Sequence, residues 1–566
     1  MIIYYLLRSS ALILIGLLIY AQTFQFDFVF DDYIFIVNNP FIKNLSNFHV
    51  MWHAFPMTRL VGMYSFALNY HFCQLAPQGY HIFNFMVHLI CVGLIWALAD
   101  QLFIITNWLP AKDRLTKELP FIIAVIFLVH PCQTQAVTYI TQRFESMATL
   151  LYLGTIYFYL RARLSTGLRH KVILFGLAAF FTILGVMTKE VVITVPAMIL
   201  ACEWILFPNE DKKRFYIFFI VAGGLLYVFF TKMLHMGISN FLHTSVSESH
   251  DGDLLTPSHY FLTQMRVFLT FLRLLVLPIH QNLDYDYPAS GGFFHPPLTL
   301  VGAGVLLGII YLIIRLRRKI PLISFGLAWM LVTFSVNLAP RANVIFEHKL
   351  YLISFGFFLT IVAALSIWVK DRGTLLRILC CMIVILSIVS FNRNKVWANE
   401  LALWTDSIKN SPDKARVNAN LGRVYGSRGQ YDQAIYYLSR AIAISPDNIT
   451  YENRGIIYSQ KGQGVQALKD MDKSIAMDPG YFPTYMKRSW VYQSQQNYDA
   501  AFADLKRAIL LNSYYTDAYI ERGLLWMQIG RPQEAVKDFT VALGLEPANT
   551  TALQYKTYCL SKMGSK

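Results

Sequence analysis

Two adjacent carboxylates, Asp31 and Asp32, are the residues of this sequence best suited to acid–base chemistry. They lie a few residues beyond a first apolar segment, residues 2–20, inside the aromatic run FDFVFDDY of residues 26–33. Charges lose hydration near low-dielectric surroundings, so a pair of acids at the edge of a membrane span indicates a function. A carboxylate in that position can take the proton of an attacking hydroxyl group.

Residues that can bind an anion, and acids that can orient such residues, recur in the segments that we place on the same side of the membrane as the acid pair. They are Arg59, His130, Arg143, Glu145, Lys189, Glu190, Arg341, Glu347 and His348. A base combined with several cations suits the transfer of a sugar from a lipid phosphate. The acceptor hydroxyl must lose its proton, and the leaving phosphate needs positive charge around it. Either Asp31 or Asp32 serves as the base in this hypothesis.

A purely structural interpretation of the same residues stays open. Arg143 with Glu145, and Lys189 with Glu190, also suit ion pairs at the ends of spans. His130 precedes a proline and suits a hydrogen-bonded imidazole at a helix kink. Paired acids can hold Mg²⁺ or Mn²⁺, but two adjacent residues offer no cage, so we favour metal-free chemistry over a divalent ion and expect no other cofactor.

Composition places these residues in an integral membrane protein. The 566 residues are 55% hydrophobic and 15% charged, whereas a soluble domain has about 25% charged residues. The formal net charge of +15 comes largely from basic clusters in short loops, which is typical of cytoplasmic loops that face anionic lipid. No basic groove motif appears, so a nucleic-acid partner is not expected. The seven cysteines form no CxxC pair, so we expect neither disulfides nor a zinc site.

Twelve apolar segments before residue 394 are candidates for membrane spans. They are residues 2–20, 80–105, 120–138, 144–160, 172–188, 191–207, 215–231, 261–278, 298–314, 321–338, 350–369 and 375–391. Segment 261–278 contains Arg266 and Arg273 and ends in Pro278, so we interpret it as an interfacial helix, with a true span as the alternative. Eleven spans then place the acid pair and the C-terminus on the non-cytoplasmic side.

From about residue 395 the chain becomes more polar and repeats itself. Small residues recur at spacings of 33, 34 and 34 in Ala434, Ala467, Ala501 and Ala535, and prolines follow in three of the four copies. This pattern matches tetratricopeptide repeats, in which small residues let paired helices approach closely. The sequence therefore predicts an all-α protein with two domains. Residues 1–393 form a multi-span membrane domain, and residues 394–566 form a solenoid with a partial first repeat, four repeats and a capping helix.

Several motifs in this order resemble those of GT-C-type polyprenyl-phosphate-sugar glycosyltransferases. The most similar group is the transmembrane O-mannosyltransferases of the endoplasmic reticulum that carry tetratricopeptide repeats, with their bacterial relatives. The motifs are FVFDD at residues 28–32, NNP at 38–40, ALNY at 67–70, GYH at 79–81, HP at 130–131, RFE at 143–145, KE at 189–190 and LYL at 350–352. This chain departs at EHKLYLI, residues 347–353, where the family has ERYLYLP.

The resemblance implies an inverting mannosyltransferase that uses a sugar on dolichyl or undecaprenyl phosphate. Its partners would be that lipid-linked sugar, a protein or glycan acceptor that meets the repeats, and membrane lipids. It would lie in a bacterial inner membrane or, in a eukaryote, in the endoplasmic reticulum membrane. Two other classes stay open. One is a non-catalytic membrane scaffold whose repeats assemble envelope or glycan machinery, and the other is an oligosaccharide ligase or polymerase.

Overall fold

The computed structural model describes residues 2–109, 115–208, 256–341 and 343–564. Every regular element in this part of the chain is a helix. The chain divides into two compact units, Met1–Asn410 and Ser411–Lys566. The predicted span at 215–231 lies outside the described residues.

The described helices of the first unit are separated by short loops and 3-10 turns. They are α1 (Ile2–Tyr20), α2 (Phe48–Ala54), α3 (Leu60–Cys73), α4 (Pro77–Ile105), α5 (Leu115–Val129), α6 (Thr134–Thr138), α7 (Arg143–Leu164), α8 (Leu168–Val186), α9 (Val195–Leu206), α10 (Pro257–Val276), α11 (Leu298–Leu316), α12 (Pro321–Phe334), α13 (Leu350–Trp368), α14 (Arg372–Asn394) and α15 (Glu400–Asn410).

Seven helical segments in the described part are long and apolar enough to cross a membrane. They are Ile3–Gln25, Pro77–Ile105, Leu168–Val186, Leu298–Leu316, Pro321–Leu338, Glu347–Trp368 and Arg372–Trp397. The pair Lys117–Val129 and Pro131–Thr138, bent by 56°, makes an eighth if it is one span. Predicted spans 144–160 and 191–207 correspond to α7 and α9, which are not among these segments. The all-helical membrane fold is confirmed, and the count of eleven spans stays a prediction.

Helix α10 carries the two arginines that led us to place it at the membrane interface. Arg266 donates to the carbonyl of Pro288 at 2.9 Å, and Arg273 donates to the carbonyl of Ile279 at 2.9 Å. The loop that follows α10 thus accepts a hydrogen bond from each guanidinium group. The helix is not among the segments apolar enough to cross, in agreement with the interfacial interpretation.

Close packing of α12 against α13 fixes the start of α13. Predicted site residues lie just before this start. A Cβ added to Gly326 would lie 2.7 Å from the carbonyl oxygen of Gly356, so only glycine permits this approach. The indole of Trp329 donates to the carbonyl of Leu352 at 2.9 Å. These contacts leave the position of residues 347–349 little freedom.

A short segment after the last predicted span packs into the first unit. It comprises the turn Lys395–Trp397 and helix α15, and we call it the junction segment (residues 395–410). Trp397 and Trp404 are both fully buried within this unit. The predicted domain boundary between residues 393 and 394 therefore lies just before the junction segment, and this segment packs into the core of the first unit.

The second unit consists of paired helices at the predicted repeat positions. They are α16 (Ala415–Ser427), α17 (Tyr431–Ile444), α18 (Asn448–Gln460), α19 (Gly464–Met477), α20 (Phe482–Ser494), α21 (Tyr498–Leu511), α22 (Thr516–Gln528), α23 (Pro532–Leu545) and the last helix α24 (Thr550–Gly564). All four repeated alanines are fully buried. The predicted solenoid is confirmed, and the small residues pack between helices as expected.

Ion pairs also recur through the repeats, a feature that we did not predict. Three arginines on first helices each bind both oxygens of an aspartate 16 residues later, in Arg454–Asp470, Arg488–Asp504 and Arg522–Asp538. The aspartates are buried and the arginines half-buried. Each pair therefore ties the two helices of one repeat together with a bidentate contact.

Candidate active site

The acid loop, residues 26–33, follows α1 and brings its two carboxylates into different surroundings. Asp32 is fully buried. One of its carboxylate oxygens accepts the backbone N–H of Val29 at 3.0 Å. The other accepts both the backbone N–H of Thr141, at 2.8 Å, and the Thr141 hydroxyl. Burial raises the pKa of Asp32 to about 7, although these hydrogen bonds favour the charged form. Asp32 thus fastens the acid loop to the segment before α7.

Asp31 is half-buried and differs from Asp32 in its partners. Its backbone N–H donates to the hydroxyl of Tyr139 at 3.1 Å. Tyr139 is itself buried, and burial together with the charges of Asp31 and Asp32 raises the pKa of its phenol well above the usual value. Tyr139 therefore stays neutral beside the acid pair, and of the two carboxylates Asp31 is the more accessible to a substrate.

The backbone just before Asp31 is strained. Phe30 has a φ of 50°, in the left-handed region that bulky residues rarely adopt. Its ring meets the ring of Trp404 edge to face, with centroids 5.1 Å apart. Such a conformation costs roughly 1–2 kcal/mol and persists only when surrounding contacts hold it.

Five residues, Thr141–Glu145, connect the acid loop to a group of cations. Thr141 binds Asp32, and the ring of Phe144 lies under the guanidinium of Arg59 at 5.0 Å. Glu145 forms a buried ion pair with Lys189 at 2.8 Å. Because four residues of helix or turn advance the chain by only about 6–8 Å, the two groups of side chains are close neighbours.

The cation group contains four positive side chains and two carboxylates. Glu190 binds Arg341 at 2.7 Å and Arg59 at 3.6 Å. Burial opposes ionisation of Glu190, yet the charges of Arg59 and Arg341 lower its pKa to about 2. Lys189 is buried, which lowers its pKa, while Glu145 opposes that shift.

Lys349 is the fourth cation and the least neutralised. Its ammonium group is buried and makes no hydrogen bond with any residue in the described ranges. It shares a small cavity with Glu145, Lys189, Glu190, Val191, Thr333, Val336, Asn337 and Arg341. Three cations and two carboxylates line this cavity, and Arg59 adds a fourth positive charge beside Glu190. The cavity therefore carries an excess of positive charge, and an anionic group would supply the missing partner of Lys349.

Two further predicted residues, His348 and Glu347, lie at the edge of this arrangement or outside it. His348, next to Lys349, stacks on the ring of Phe346 with centroids 5.1 Å apart, and its Nδ1 has no partner among the described residues. Glu347 faces a different loop, where it accepts Gln281 at 2.8 Å and the backbone N–H of Asn282 at 2.5 Å. Of this pair, only His348 adjoins the cation group, because Lys349 follows it directly in the chain.

His130 and Arg143 make their contacts with neutral groups. The Nδ1 of His130 accepts the backbone N–H of Cys132 at 3.2 Å, and its Nε2 lies 3.2 Å from the carbonyl of Leu275. Arg143 is fully buried and donates to the Asn84 amide oxygen at 2.6 Å, the Tyr80 carbonyl at 3.1 Å and Ser65 at 3.3 Å. Both side chains connect helices, and neither lines the cation cavity.

Sequence reasoning did not single out Lys349, Tyr139 or Thr141. Lys349 had a visible signal, since it follows Glu347 and His348 in a tripeptide where the resembling family has Arg and Tyr instead. Tyr139 and Thr141 gave none, because neutral hydroxyls are common and their role depends on a carboxylate more than a hundred residues away.

Comparisons with known proteins agree with both halves of this architecture. Within the second unit, a family model described as TPR repeat matches residues 422–462, and one described as Tetratricopeptide repeat matches residues 486–550. The protein O-mannosyl-transferase F38B6.6 of Caenorhabditis elegans is 26% identical over 473 residues, which cover 77% of this chain and 63% of that protein. The chain is related to protein O-mannosyl-transferases.

Human relatives extend this similarity. Protein O-mannosyl-transferase TMTC3 is 23% identical over 495 residues, which cover 75% of this chain and 50% of the human protein. This chain thus spans between half and two thirds of the length of these mannosyltransferase relatives. The family resemblance that we drew from the sequence motifs is confirmed. Among solved structures, MamA is 24% identical with a TM-score of 0.24, covering 26% of this chain and 86% of that chain.

Proposed function

We propose that this chain is a membrane glycosyltransferase that moves mannose from a polyprenyl-phosphate donor to a hydroxyl group of a protein or glycan acceptor. The observation that carries the proposal is the short segment Thr141–Glu145, which connects the loop of the half-buried Asp31 to a cavity with excess positive charge. A base and a neighbouring anion site are the two requirements of transfer from a sugar phosphate. The relatives named protein O-mannosyl-transferases support the choice of sugar and of a protein acceptor.

In the proposed reaction Asp31 acts as the general base. Its carboxylate takes the proton of the acceptor hydroxyl while the hydroxyl oxygen forms a bond to the anomeric carbon. The bond between that carbon and the phosphate oxygen breaks, and the polyprenyl phosphate leaves with the electron pair. Lys349, Lys189 and Arg341 offset the negative charge that develops on this leaving group. Attack opposite the leaving phosphate inverts the anomeric centre, and we propose that no metal ion takes part.

Asp32 acts in this proposal as the residue that positions the acid loop. Its carboxylate holds three donors from two segments, so replacing it changes where Asp31 lies. The two adjacent acids thus have separate tasks in this proposal. The buried Asp32 positions the loop, and the more accessible Asp31 takes the proton.

We further propose that the site and the repeats lie on the non-cytoplasmic side, where the repeats meet the acceptor. The support is the concentration of basic residues in the loops assigned to the other side. A single cysteine introduced on the repeats of sealed spheroplasts or microsomes tests this arrangement. Reaction with an impermeant maleimide from the non-cytoplasmic side alone is expected, and reaction from the cytoplasm would contradict it.

Transfer in proteoliposomes tests the activity itself. The full-length protein is supplied with radiolabelled polyprenyl-phosphate mannose and a Ser/Thr-rich peptide, and polyprenyl-phosphate glucose and GDP-mannose serve as competing donors. We expect transfer from the lipid-linked mannose and a loss of roughly 10²- to 10⁴-fold in Asp31→Asn. Asp27→Asn is the matched control, because Asp27 lies exposed in the same loop.

Two results would contradict the proposal. Wild-type transfer by a folded Asp31→Asn protein would show that Asp31 is not the base. Transfer from GDP-mannose alone would show that the donor is not lipid-linked.

A further inference from the structure

The junction segment contacts the acid loop at two points and Tyr139, which binds that loop, at a third. The backbone N–H of Asp27 donates to the carbonyl of Ala398 at 3.2 Å. The ring of Trp404 meets Phe30 edge to face at 5.1 Å. Trp397 stacks on Tyr139 with centroids 5.3 Å apart and planes inclined by 14°. Tyr139 in turn accepts the backbone N–H of Asp31.

These contacts meet at the strained position of the loop. Phe30 adopts its φ of 50° next to Asp31, and a phenylalanine keeps that conformation only if its surroundings oppose relaxation. Trp404 is fully buried, and its indole N–H makes no hydrogen bond with a residue in the described ranges. The contribution of this side chain is therefore the packing of its ring against its neighbours.

The junction segment is itself held by two further contacts. Arg393 forms an ion pair with Asp406 at 2.5 Å, which ties α15 back to the end of α14. The Asn410 amide donates to the carbonyl of Gln281 at 3.3 Å. A segment held in this way can oppose relaxation of the loop that packs on it.

We propose that Trp397 and Trp404 are positioning residues for the general base. Trp404 keeps Phe30 in the left-handed conformation, and Trp397 keeps the Tyr139 hydroxyl beside the backbone of Asp31. Both act on the base through other side chains and touch no reacting atom. This inference rests on the proposed function, because it assigns a consequence for transfer to contacts around Asp31.

Transfer kinetics of the full-length protein test it, with Trp404→Ala, Trp404→Phe, Trp397→Ala and the control Trp368→Ala. Trp368 is 79% exposed, so its removal takes away an indole without loosening the loop. We expect Trp404→Ala and Trp397→Ala each to lower kcat by about 2- to 10-fold. This is the rate factor that corresponds to the loss of one aromatic pair. The KM for the donor stays unchanged, and the acid limb of the pH profile of kcat moves. Trp404→Phe, which keeps a ring, recovers most of the rate.

A double-mutant cycle with Phe30→Gly isolates the strain. Glycine adopts a positive φ without strain, so no neighbouring side chain is needed to keep residue 30 in that conformation. Trp404→Ala is therefore expected to lower kcat in the wild-type background and to have a smaller effect in the Phe30→Gly background. Equal losses in both backgrounds would overturn the role of Trp404. A fall in kcat with an unchanged pH profile would also overturn it, since a smaller folded fraction produces that pattern.

Hydrogen exchange provides a readout that does not need activity. The amides of Asp27 and Asp31 are hydrogen-bonded to the junction carbonyl and to Tyr139. Both are expected to exchange faster in the Trp397→Ala and Trp404→Ala proteins than in Trp368→Ala. If the wild-type protein transfers no sugar, the proposed function is wrong, and exchange alone decides whether the tryptophans position the loop. Unchanged exchange at both amides would overturn the inference.

Discussion

Replacing Asp32 with asparagine separates the tasks of the two adjacent acids. The substitution keeps the size of the side chain but turns one acceptor oxygen into an NH₂ donor. Both oxygens of Asp32 accept a backbone N–H, one from Val29 and one from Thr141. Whichever way the new amide is oriented, its NH₂ group faces one of these N–H donors. One hydrogen bond is lost, and a buried N–H is left without a partner.

The magnitude follows from the cost of a buried unsatisfied donor, about 1–3 kcal/mol. If all of this cost acts on the active conformation of the loop, kcat falls by about 5- to 150-fold. Asp31→Asn, which removes the base, is expected to cost roughly 10²- to 10⁴-fold. The two variants also differ in stability, because Asp32 is fully buried and its carboxylate accepts three donors from two segments, whereas Asp31 is half-buried. Asp32→Asn should therefore lower the thermal midpoint more than Asp31→Asn does.

The assay pairs single-turnover transfer in proteoliposomes with thermal unfolding of the purified protein in detergent. Thr141→Val is the companion variant, since it removes only the hydroxyl that Asp32 accepts. Its effect and that of Asp32→Asn should be less than additive, because both break the same contact. If Asp32→Asn is the more severe variant and its thermal midpoint equals that of the wild type, Asp32 is the base and the reasoning from burial is wrong.

Three further outcomes are expected. Stability should fall as pH rises from about 4 to about 7, because folded Asp32 keeps its proton up to about pH 7 and the unfolded residue does not; thermal midpoints of Asp32→Asn should lack this part of the slope. Lys349→Met should raise the donor KM roughly ten-fold or more in steady-state transfer, with Lys349→Arg recovering part of it. Dialysis against EDTA should leave the transfer rate unchanged, and loss of activity that Mg²⁺ or Mn²⁺ restores would contradict the metal-free mechanism.

The sequence was sufficient for the features that depend on periodicity and composition. The repeat spacing predicted the helix pairs of the second unit, because the small residues recur where helices must approach. Apolar length predicted most of the long helices of the first unit. The charge pattern selected the cations Arg59, Lys189 and Arg341, which do lie around one carboxylate in the structure, Glu190.

The pairing of these charges was not predictable from neighbouring positions. Arg143 and Glu145 are two positions apart at the start of a helix, so their side chains face different directions. Glu145 instead binds Lys189, and Glu190 binds Arg341. Pairing of this kind depends on how distant segments fold together. The same limit applies to the acid pair, since a threonine 109 residues away decides which aspartate is buried.

The tripeptide at residues 143–145 shows how one motif can support a site without each member touching a substrate. Arg143 is fully buried among neutral acceptors and lies over the rings of Phe66 and Phe83 at 4.5 and 4.3 Å. A buried cation without a carboxylate partner is costly unless its donors are satisfied, and here Asn84, Tyr80 and Ser65 receive them. Arg143 thereby fixes the start of α7 to α3 and α4. The residues on either side then point where the chemistry needs them, with Thr141 toward the acid loop and Glu145 toward the cation cavity. The spacing between the proposed base and the proposed anion site therefore depends on a side chain that belongs to neither.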